Sequence, residues 1–163
     1  MPDKKELYLR YIVFGVSDSL VSTVGLLSGI DATGATRQAI LMTGIIYAFV
    51  EAFSMAIGSF LSEESTEEYE ARKEVGDRNA VVAAAVMFVS FVLASFIPIA
   101  PYLFLGIAPA LWVSMALSVV ALFVLGLVSA KFVKVRMAEH AAKMALLGGA
   151  AIAIGVIVGK FFK

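Results

Sequence analysis

The sequence predicts an all-α integral membrane protein with five spanning helices in one transmembrane domain, residues 1–163, and three observations support this fold class. First, 61% of the residues are hydrophobic and the mean hydropathy is +0.93, whereas typical soluble domains are only about 45–50% apolar. Second, the charged residues delimit long apolar stretches of about 20 residues, the length that a helix needs to cross a bilayer. Third, these stretches are continuously apolar rather than alternating, which excludes a closed β-barrel.

The first predicted helix covers residues 9–30, and Asp18 is the only charge between Arg10 and Asp31. The charged N-terminus before it imitates a signal peptide. However, the apolar run reaches Asp18 after only seven residues, and no clear A-x-A cleavage site follows. We therefore interpret this segment as a retained first span.

The second predicted helix covers residues 38–62 and repeats the same feature. Glu51 is the only charge between Arg37 and Glu63. An acidic connection, residues 62–78, follows this helix and leads to the next span.

The remaining three helices follow from two further apolar stretches. The first has 52 uncharged residues and is long enough for two spans, 79–97 and 102–130. We place the break between them at IPIAP, because Pro98 and Pro101 lack amide donors and disfavour helix in the residue before each. The last stretch predicts a fifth helix over residues 143–162.

The distribution of lysine and arginine predicts the orientation, because cytosolic segments carry an excess of these residues. With the N-terminus in the cytosol, ten of them lie on the inner side: Lys4, Lys5, Arg10, Arg72, Lys73, Arg78, Lys131, Lys134, Arg136 and Lys143. Only three lie on the outer side: Arg37, Lys160 and Lys163. We therefore expect a cytosolic N-terminus and a C-terminus on the opposite side.

Composition excludes several function classes. The formal net charge is zero, which gives no electrostatic footprint for nucleic acid. There is no cysteine, so thiolate sites and disulfides are excluded. The single histidine, His140, is too little for a ferritin-like di-iron site or a zinc hydrolase site. Since no phosphate-binding loop or nucleophile motif appears, we expect neither an enzyme nor a bound cofactor.

Asp18 and Glu51 are carboxylates inside predicted spans, where polar groups usually face the protein interior or a water path. Asp18 lies about 12 Å from the cytosolic end of its helix, while Glu51 and Met55 lie about 16 Å and about 10 Å from the cytosolic end of theirs. The two helices run antiparallel. Two carboxylates and a thioether are therefore predicted to meet in one layer.

Both acids also lie on stripes of small residues, which allow membrane helices to approach closely. In the first helix the stripe is Gly15, Asp18, Ser22, Gly25 and Gly29, and in the second it is Gly44, Ala48, Glu51, Met55, Gly58 and Ser62. The last helix has a third such face, with Ala151, Gly155 and Gly159. We expect the first two stripes to line a functional interface, although packing alone is the alternative.

Two interpretations of the acids remain open. In one, they are a buried pair that shares a proton or hydrogen-bonds hydroxyls such as those of Ser17, Ser22 or Tyr47. In the other, which we favour, Asp18, Glu51 and Met55 form a cation site in which the acids also carry protons. Oxygen ligands alone suit Mg²⁺, Ca²⁺ or Mn²⁺, whereas the thioether of Met55 shifts preference towards softer first-row ions such as Fe²⁺ or Mn²⁺. Methionine is, however, also a common core filler.

The two charged connections have a structural and a functional interpretation each. Four glutamates of the acidic connection share a helical face and are candidate metal-collecting residues, or simply a solvated extension of the second helix: Glu63, Glu67, Glu70 and Glu74. The segment KFVKVRMAEHAAK is basic and amphipathic, which fits a cytosolic connection that touches anionic headgroups. His140 lies in it and is expected at the surface rather than as a ligand.

Residues 9 to about 75 resemble the vacuolar iron transporter family. Of the pattern F-G-x-x-D-G-L typical of its first helix, this chain matches Phe14, Gly15, Asp18 and Leu20, with Ser19 for the second glycine. Of the pattern S-M-x-x-G-E-[FY] in its second helix, the chain matches Ser54, Met55, Gly58 and Phe60, with Ser59 for the glutamate. The last three helices match only in hydropathy and topology.

The resemblance implies a homodimer with five helices per subunit. It places Asp18 and Met55 at positions used for metal translocation, where the first and second helices of two protomers meet, with Glu51 as a further ligand or proton carrier. Larger members insert a glutamate-rich metal-binding domain after the second helix, whereas this chain has only the short acidic connection.

We therefore expect a transporter that moves Fe²⁺ or Mn²⁺ out of the cytosol in exchange for protons, with the metal as cargo. Its expected location is the plasma membrane of a prokaryote, or a vacuolar membrane in a eukaryote. One alternative is a small proton-coupled exporter of multiple drugs or organic cations, which would need an aromatic cage around its acid. A second alternative is a membrane assembly protein without transport activity.

Overall fold

The computed structural model describes residues 4–74 and 76–161, and these ranges are helical apart from short connections. The helices are α1 (Lys4–Ala32), α2 (Arg37–Ala71), α3 (Arg78–Ile99), α4 (Pro101–Phe104), α5 (Ile107–Val133) and α6 (Met137–Phe161). No strand occurs in the two described ranges. The predicted helix end at residue 162 and the outer charge Lys163 lie outside them.

Five segments are long and apolar enough to cross a membrane, and they correspond to the five predicted spans. They are α1, α2, α3 together with the short α4, α5, and α6. The predicted fold class, an all-α protein with five potential membrane-spanning helices, is therefore confirmed.

α2 and α6 extend further into the charged connections than the sequence indicated. The acidic segment continues α2 by nine residues beyond 62, to Ala71, where Arg72 takes a left-handed conformation (φ 55°) and ends the helix. The glutamates of this segment favour helix intrinsically, which explains the extension. α6 begins at Met137 rather than 143, so the α5–α6 connection has only three residues, 134–136.

The helix is interrupted at Ala100, between the two prolines, and a second break at Leu105 and Gly106 precedes the fourth span. Pro98 remains inside α3, and Pro101 occupies the first turn of α4, where its missing amide proton would have had no helical partner. Arg37 stabilises this end of the bundle, since its guanidinium donates to the carbonyl oxygens of Tyr102 and Leu103.

α1 lies at the centre of the bundle and contacts α2, α3, α5 and α6. α2 packs mainly on α3, and α5 packs mainly on α6. Three apolar clusters fill the interior along the bundle axis. One lies near the α1–α2 turn (Leu27, Ile40, Ile99, Tyr102), one in the middle (Leu20, Val24, Leu122, Ile152), and one near the start of α1 (Leu7, Tyr11, Ala83, Met87).

The glycine stripe of α1 serves packing within the chain. A Cβ added at Gly155 would lie 2.9 Å from the Gly25 Cα, and one added at Gly159 would lie 2.6 Å from the Gly29 Cα. The two G-x-x-x-G faces of α1 and α6 therefore cross in direct backbone contact. At the other end of the stripe, a Cβ at Gly15 would lie 3.0 Å from the Met87 Sδ of α3. These contacts favour the packing interpretation for the glycines.

The tightest backbone approach between α5 and α6 gives a stability prediction. A Cβ at Gly126 would lie 2.5 Å from the Ala141 Cα, and backbone cannot move aside as a flexible side chain does. We expect Gly126→Ala to lower the free energy of unfolding in detergent by about 1–3 kcal/mol, the usual range for overpacking.

Gly58→Ala is the matched control, because Gly58 lies in α2 with nothing within 4 Å of an added Cβ. This change should leave the protein as stable or up to about 1 kcal/mol more stable, since alanine favours helix over glycine. Equal stability losses for the two variants would contradict the close packing of α5 on α6.

Candidate functional site

Asp18 lies in α1 and Glu51 in α2, and both side chains are partly buried. They are close enough for the charge of Glu51 to act on Asp18. Each acid lies within a segment that is otherwise apolar enough to span a membrane. The structure thus brings together the two carboxylates that the sequence singled out.

The register of α1 and α2 explains this meeting. Arg10 Nη2 donates to Glu63 Oε2 at 2.8 Å, which aligns these two positions across the helices. At 1.5 Å per residue, Asp18 lies about 12 Å from this ion pair along α1, while Met55 and Glu51 lie about 12 Å and about 18 Å from it along α2. Asp18 is therefore at the depth of Met55, one turn from Glu51.

Tyr47 and Ser22 add two hydroxyl groups to the acid pair. The Tyr47 hydroxyl is influenced by the charges of both Asp18 and Glu51 and lies beside Ser22. Ser22 Oγ is buried, and the Tyr47 hydroxyl is its neighbouring polar group. The Tyr47 ring packs against Phe91 of α3, with centroids 6.5 Å apart and planes at 59°. From the sequence, these hydroxyls are predicted only as hydrogen-bond partners of the acids. Serine and tyrosine are common residue types, so their presence alone does not indicate a binding site.

Met55 packs in an apolar environment. Its partly buried side chain lies against the cluster of Leu7, Tyr11, Ala83 and Met87. The depth predicted for Met55 agrees with the register, while its role as a metal ligand stays a prediction.

The two serines that depart from the family pattern are engaged in packing. Ser19 Oγ donates to the Phe91 carbonyl at 2.8 Å and lies 3.0 Å from Ser95 Oγ. Ser59 Oγ donates to the Met55 carbonyl at 2.8 Å, one turn earlier in α2. Both are therefore buried hydroxyls whose hydrogen bonds are made within the bundle.

The donor set around Asp18 and Glu51 consists of oxygen atoms. Two carboxylates with adjacent hydroxyls suit divalent cations that prefer oxygen ligands, such as Mg²⁺, Ca²⁺ or Mn²⁺. In residues 4–74 and 76–161, no group of three or more His, Cys, Asp or Glu side chains is placed to hold a metal. One chain therefore places two carboxylates at this level, fewer than the coordination sphere of a divalent cation requires.

Two phenylalanines beside Glu51 face outwards, whereas Tyr47 lies inside the bundle. Phe49 and Phe53 are 48% and 62% exposed on the outer face of α2. They form no cage around the acid within the protomer, which weighs against a site for a bulky organic cation.

The α2 stripe predicted from small residues is only partly the buried face. Gly44 and Ala48 are buried, whereas Gly58 and Ser62 are exposed. The observed buried face is Ile40, Gly44, Ala48, Ala52, Ala56, Ser59 and Glu63. Glu51 and Met55 lie at the margin of this face, next to the exposed apolar side of the helix.

The candidate metal-collecting glutamates do not form one surface. Glu63 is buried, and its Oε2 accepts hydrogen bonds from Arg10 at 2.8 Å and from Tyr11 at 2.7 Å. Glu67 accepts a hydrogen bond from Asn79 at 2.6 Å, which ties α2 to the start of α3. Glu70 is exposed on α2, and Glu74 lies beyond its end at Ala71, so the four do not share one helical face. Their role in collecting metal stays a prediction.

Comparisons with known proteins cover nearly the whole chain. The model of the VIT family matches residues 9–79 and 66–160. Vacuolar iron transporter homolog 5 of Oryza sativa is 30% identical over 168 residues, 96% of this chain and 81% of that protein. Vacuolar iron transporter 1 of Arabidopsis thaliana is 32% identical over 75 residues, 46% of this chain and 30% of that protein. An uncharacterized protein of the archaeon Methanocaldococcus jannaschii is 24% identical over 163 residues, 89% of this chain and 84% of that protein.

Proposed function

The chain belongs to the VIT family, and on that premise we propose that it moves Fe²⁺ or Mn²⁺ out of the cytosol in exchange for protons. The observation that carries the proposal is the Asp18–Glu51 pair, two carboxylates within electrostatic range of each other in segments long and apolar enough to span a membrane. Carboxylates at this depth are rare because an ion there is poorly solvated, and they mark ion or proton pathways in membrane proteins.

Binding would begin with both carboxylates ionised. A divalent cation that sheds part of its hydration shell gains two anionic ligands, while the Tyr47 and Ser22 hydroxyls offer further oxygen contacts. The repulsion between the two carboxylates is then replaced by attraction to the cation. This arrangement favours a doubly charged substrate over a singly charged one.

Release would use protons from the far side. Carboxylate ligands must be deprotonated to hold a metal, so a proton on Asp18 or Glu51 removes negative charge from the site and weakens binding. The same two side chains would thereby couple metal efflux to proton entry. The expected driving force is an acidic far side relative to the cytosol.

A homodimer would complete the site. One protomer supplies two anionic ligands at this level, and Glu51 borders an apolar face of α2 that is exposed in the protomer. That face comprises Met42, Ile45, Ile46, Phe49, Val50, Phe53, Ile57 and Leu61. We propose that α1 and α2 of two copies meet there, so that each copy contributes its acids to one shared path.

The proposed orientation has the N-terminus in the cytosol, on the lysine and arginine bias of ten residues against three. The VIT family includes relatives from plants and an archaeon. We propose the plasma membrane for a prokaryotic source and a vacuolar membrane for a eukaryotic one.

Metal flux into proteoliposomes tests the proposed function. We expect uptake of Fe²⁺ or Mn²⁺ that accelerates when the vesicle interior is acidic, with alkalinisation of the interior during uptake. A quaternary ammonium dye should neither enter nor compete. Dye uptake insensitive to Fe²⁺ and Mn²⁺ would indicate the organic-cation exporter instead, and absence of any flux would indicate an assembly protein.

Met55→Leu separates a ligand from a core filler. The side chains have similar volumes, and such swaps usually cost less than about 1.5 kcal/mol of stability. If the thioether binds the cation, the KM for Fe²⁺ should rise while the thermal unfolding temperature in detergent stays close to that of the wild type. An unchanged KM would remove Met55 from the proposed site and leave Asp18 and Glu51 in it.

A further inference from the structure

The α5–α6 connection is placed at a membrane boundary by the two potential spans that it joins. α5 and α6 each contain a segment long and apolar enough to span, and only residues 134–136 separate them. A connection this short cannot extend far into the aqueous phase. The first residues of α6 must therefore lie at the level of the lipid headgroups.

This connection forms an open concavity of about 530 Å³ lined by Lys134, Val135, Arg136, Glu139, His140 and Lys143. Three of the lining residues are cationic and one is anionic, so the concavity carries two net positive charges with His140 neutral. Such a surface attracts anions.

The cations of the concavity differ in how they are engaged. Arg136 Nη1 donates to Glu139 Oε1 at 2.5 Å, and both side chains are largely exposed. In the part of the chain that the structure describes, neither Lys134 nor Lys143 takes part in an ion pair. The ammonium groups of Lys134, in the connection, and Lys143, in α6, are therefore free to bind an anion.

Exposed apolar side chains surround the cations. Phe132 is 68% exposed, and Val133, Val135 and Met137 are 54%, 46% and 45% exposed. In water these side chains would be costly, but at a membrane boundary they can contact acyl chains while the neighbouring cations reach the headgroups. The combination fits a ligand with an anionic head and an apolar body.

We propose that this concavity binds the headgroup phosphate of an anionic phospholipid from the adjacent leaflet, with Lys134, Arg136 and Lys143 as its contacts. Each cation near an anionic membrane surface favours binding. Because the three cations surround one concavity, they favour binding of a single lipid headgroup over diffuse attraction to the membrane surface. The lipid would pin the α5–α6 turn at the headgroup level.

The test measures lipid retained by the whole protein, so its result is independent of metal transport. The protein is reconstituted in phosphatidylcholine mixed with phosphatidylglycerol, extracted in mild detergent, and weighed by native mass spectrometry. We expect wild type to retain phosphatidylglycerol selectively. The variant K134Q/R136Q/K143Q should retain at least about tenfold less.

The matched control, R72Q/K73Q/R78Q, removes the same charge from exposed cations of the α2–α3 connection and should retain phosphatidylglycerol as wild type does. Equal losses in both triple variants would reveal net-charge attraction and overturn the proposal. Displacement of phosphatidylglycerol by millimolar inorganic phosphate would assign the concavity to a soluble anion and overturn it as well. The single variant Lys143→Glu is a second test of the site. Reversing this one exposed charge should also lower the retention of phosphatidylglycerol without disturbing the fold.

Discussion

Replacing Asp18 with asparagine is expected to lower Fe²⁺ or Mn²⁺ uptake by proteoliposomes at least about tenfold, because the amide removes one of two anionic ligands at the site. Asparagine has the size of aspartate, so the partly buried position should remain filled. Glu51→Gln should act in the same direction, since the charge of Glu51 lies within electrostatic range of Asp18. Both variants should elute as the wild type does in size-exclusion chromatography.

Asp77→Asn is the control for this experiment. It makes the same chemical change at an exposed residue before α3 whose side chain forms no capping hydrogen bond. Its uptake should equal that of wild type. If Asp18→Asn and Glu51→Gln each leave uptake intact, the acids are a structural pair and the proposed site is wrong.

The dependence of uptake on pH should change as well. An asparagine at position 18 cannot take up a proton, so an acidic vesicle interior would have one less group through which to promote metal release. We therefore expect the residual uptake of Asp18→Asn to accelerate less than wild type when the interior is acidified. An unchanged dependence on interior pH would exclude Asp18 as a proton carrier.

The sequence predicted the meeting of Asp18 and Glu51 because helix geometry is simple in a membrane. Spans are uninterrupted helices with a fixed rise, so residue counts from the charged ends convert directly into depth. The charge pattern likewise predicted five spans, since a charge inside a bilayer is costly and rare. Both predictions use the geometry of each helix alone and need no information on how the helices pack together.

The parts that the sequence did not predict depend on neighbouring helices. Pro98 remains inside α3 because proline is tolerated in spanning helices when nearby groups satisfy the backbone. Gly25 and Gly29 of α1 pack on α6 and Gly15 packs on α3, and a stripe of small residues does not reveal which helix it faces. The sequence does not distinguish Glu63 from the other glutamates of the acidic connection, because its burial depends on the approach of Arg10 and Tyr11 from α1.

The second large effect is expected at this buried network, where removing Arg10 should destabilise the protein more than removing Glu63. The Arg10 side chain is 55% exposed and that of Glu63 is 3% exposed. Arg10→Met therefore leaves a buried carboxylate with Tyr11 as its remaining partner, and loss of one member of a buried pair costs about 3–5 kcal/mol. Glu63→Gln leaves a guanidinium that water can solvate and an amide that still accepts from Tyr11, so we expect a loss of about 1 kcal/mol.

Unfolding of the purified protein in detergent, followed by circular dichroism, checks both values. Arg78→Met is the matched control, because Arg78 is exposed and forms no ion pair in the described residues, and it should change stability by less than about 0.5 kcal/mol. The double variant R10M/E63Q should be more stable than Arg10→Met alone, since it no longer buries an unpaired carboxylate. If the stability loss of the double variant equals the sum of the two single losses, the side chains of Arg10 and Glu63 do not form a coupled network. The coupling also bears on the candidate site, because the pair that fixes α1 against α2 holds Asp18 at the depth of Met55, one turn from Glu51.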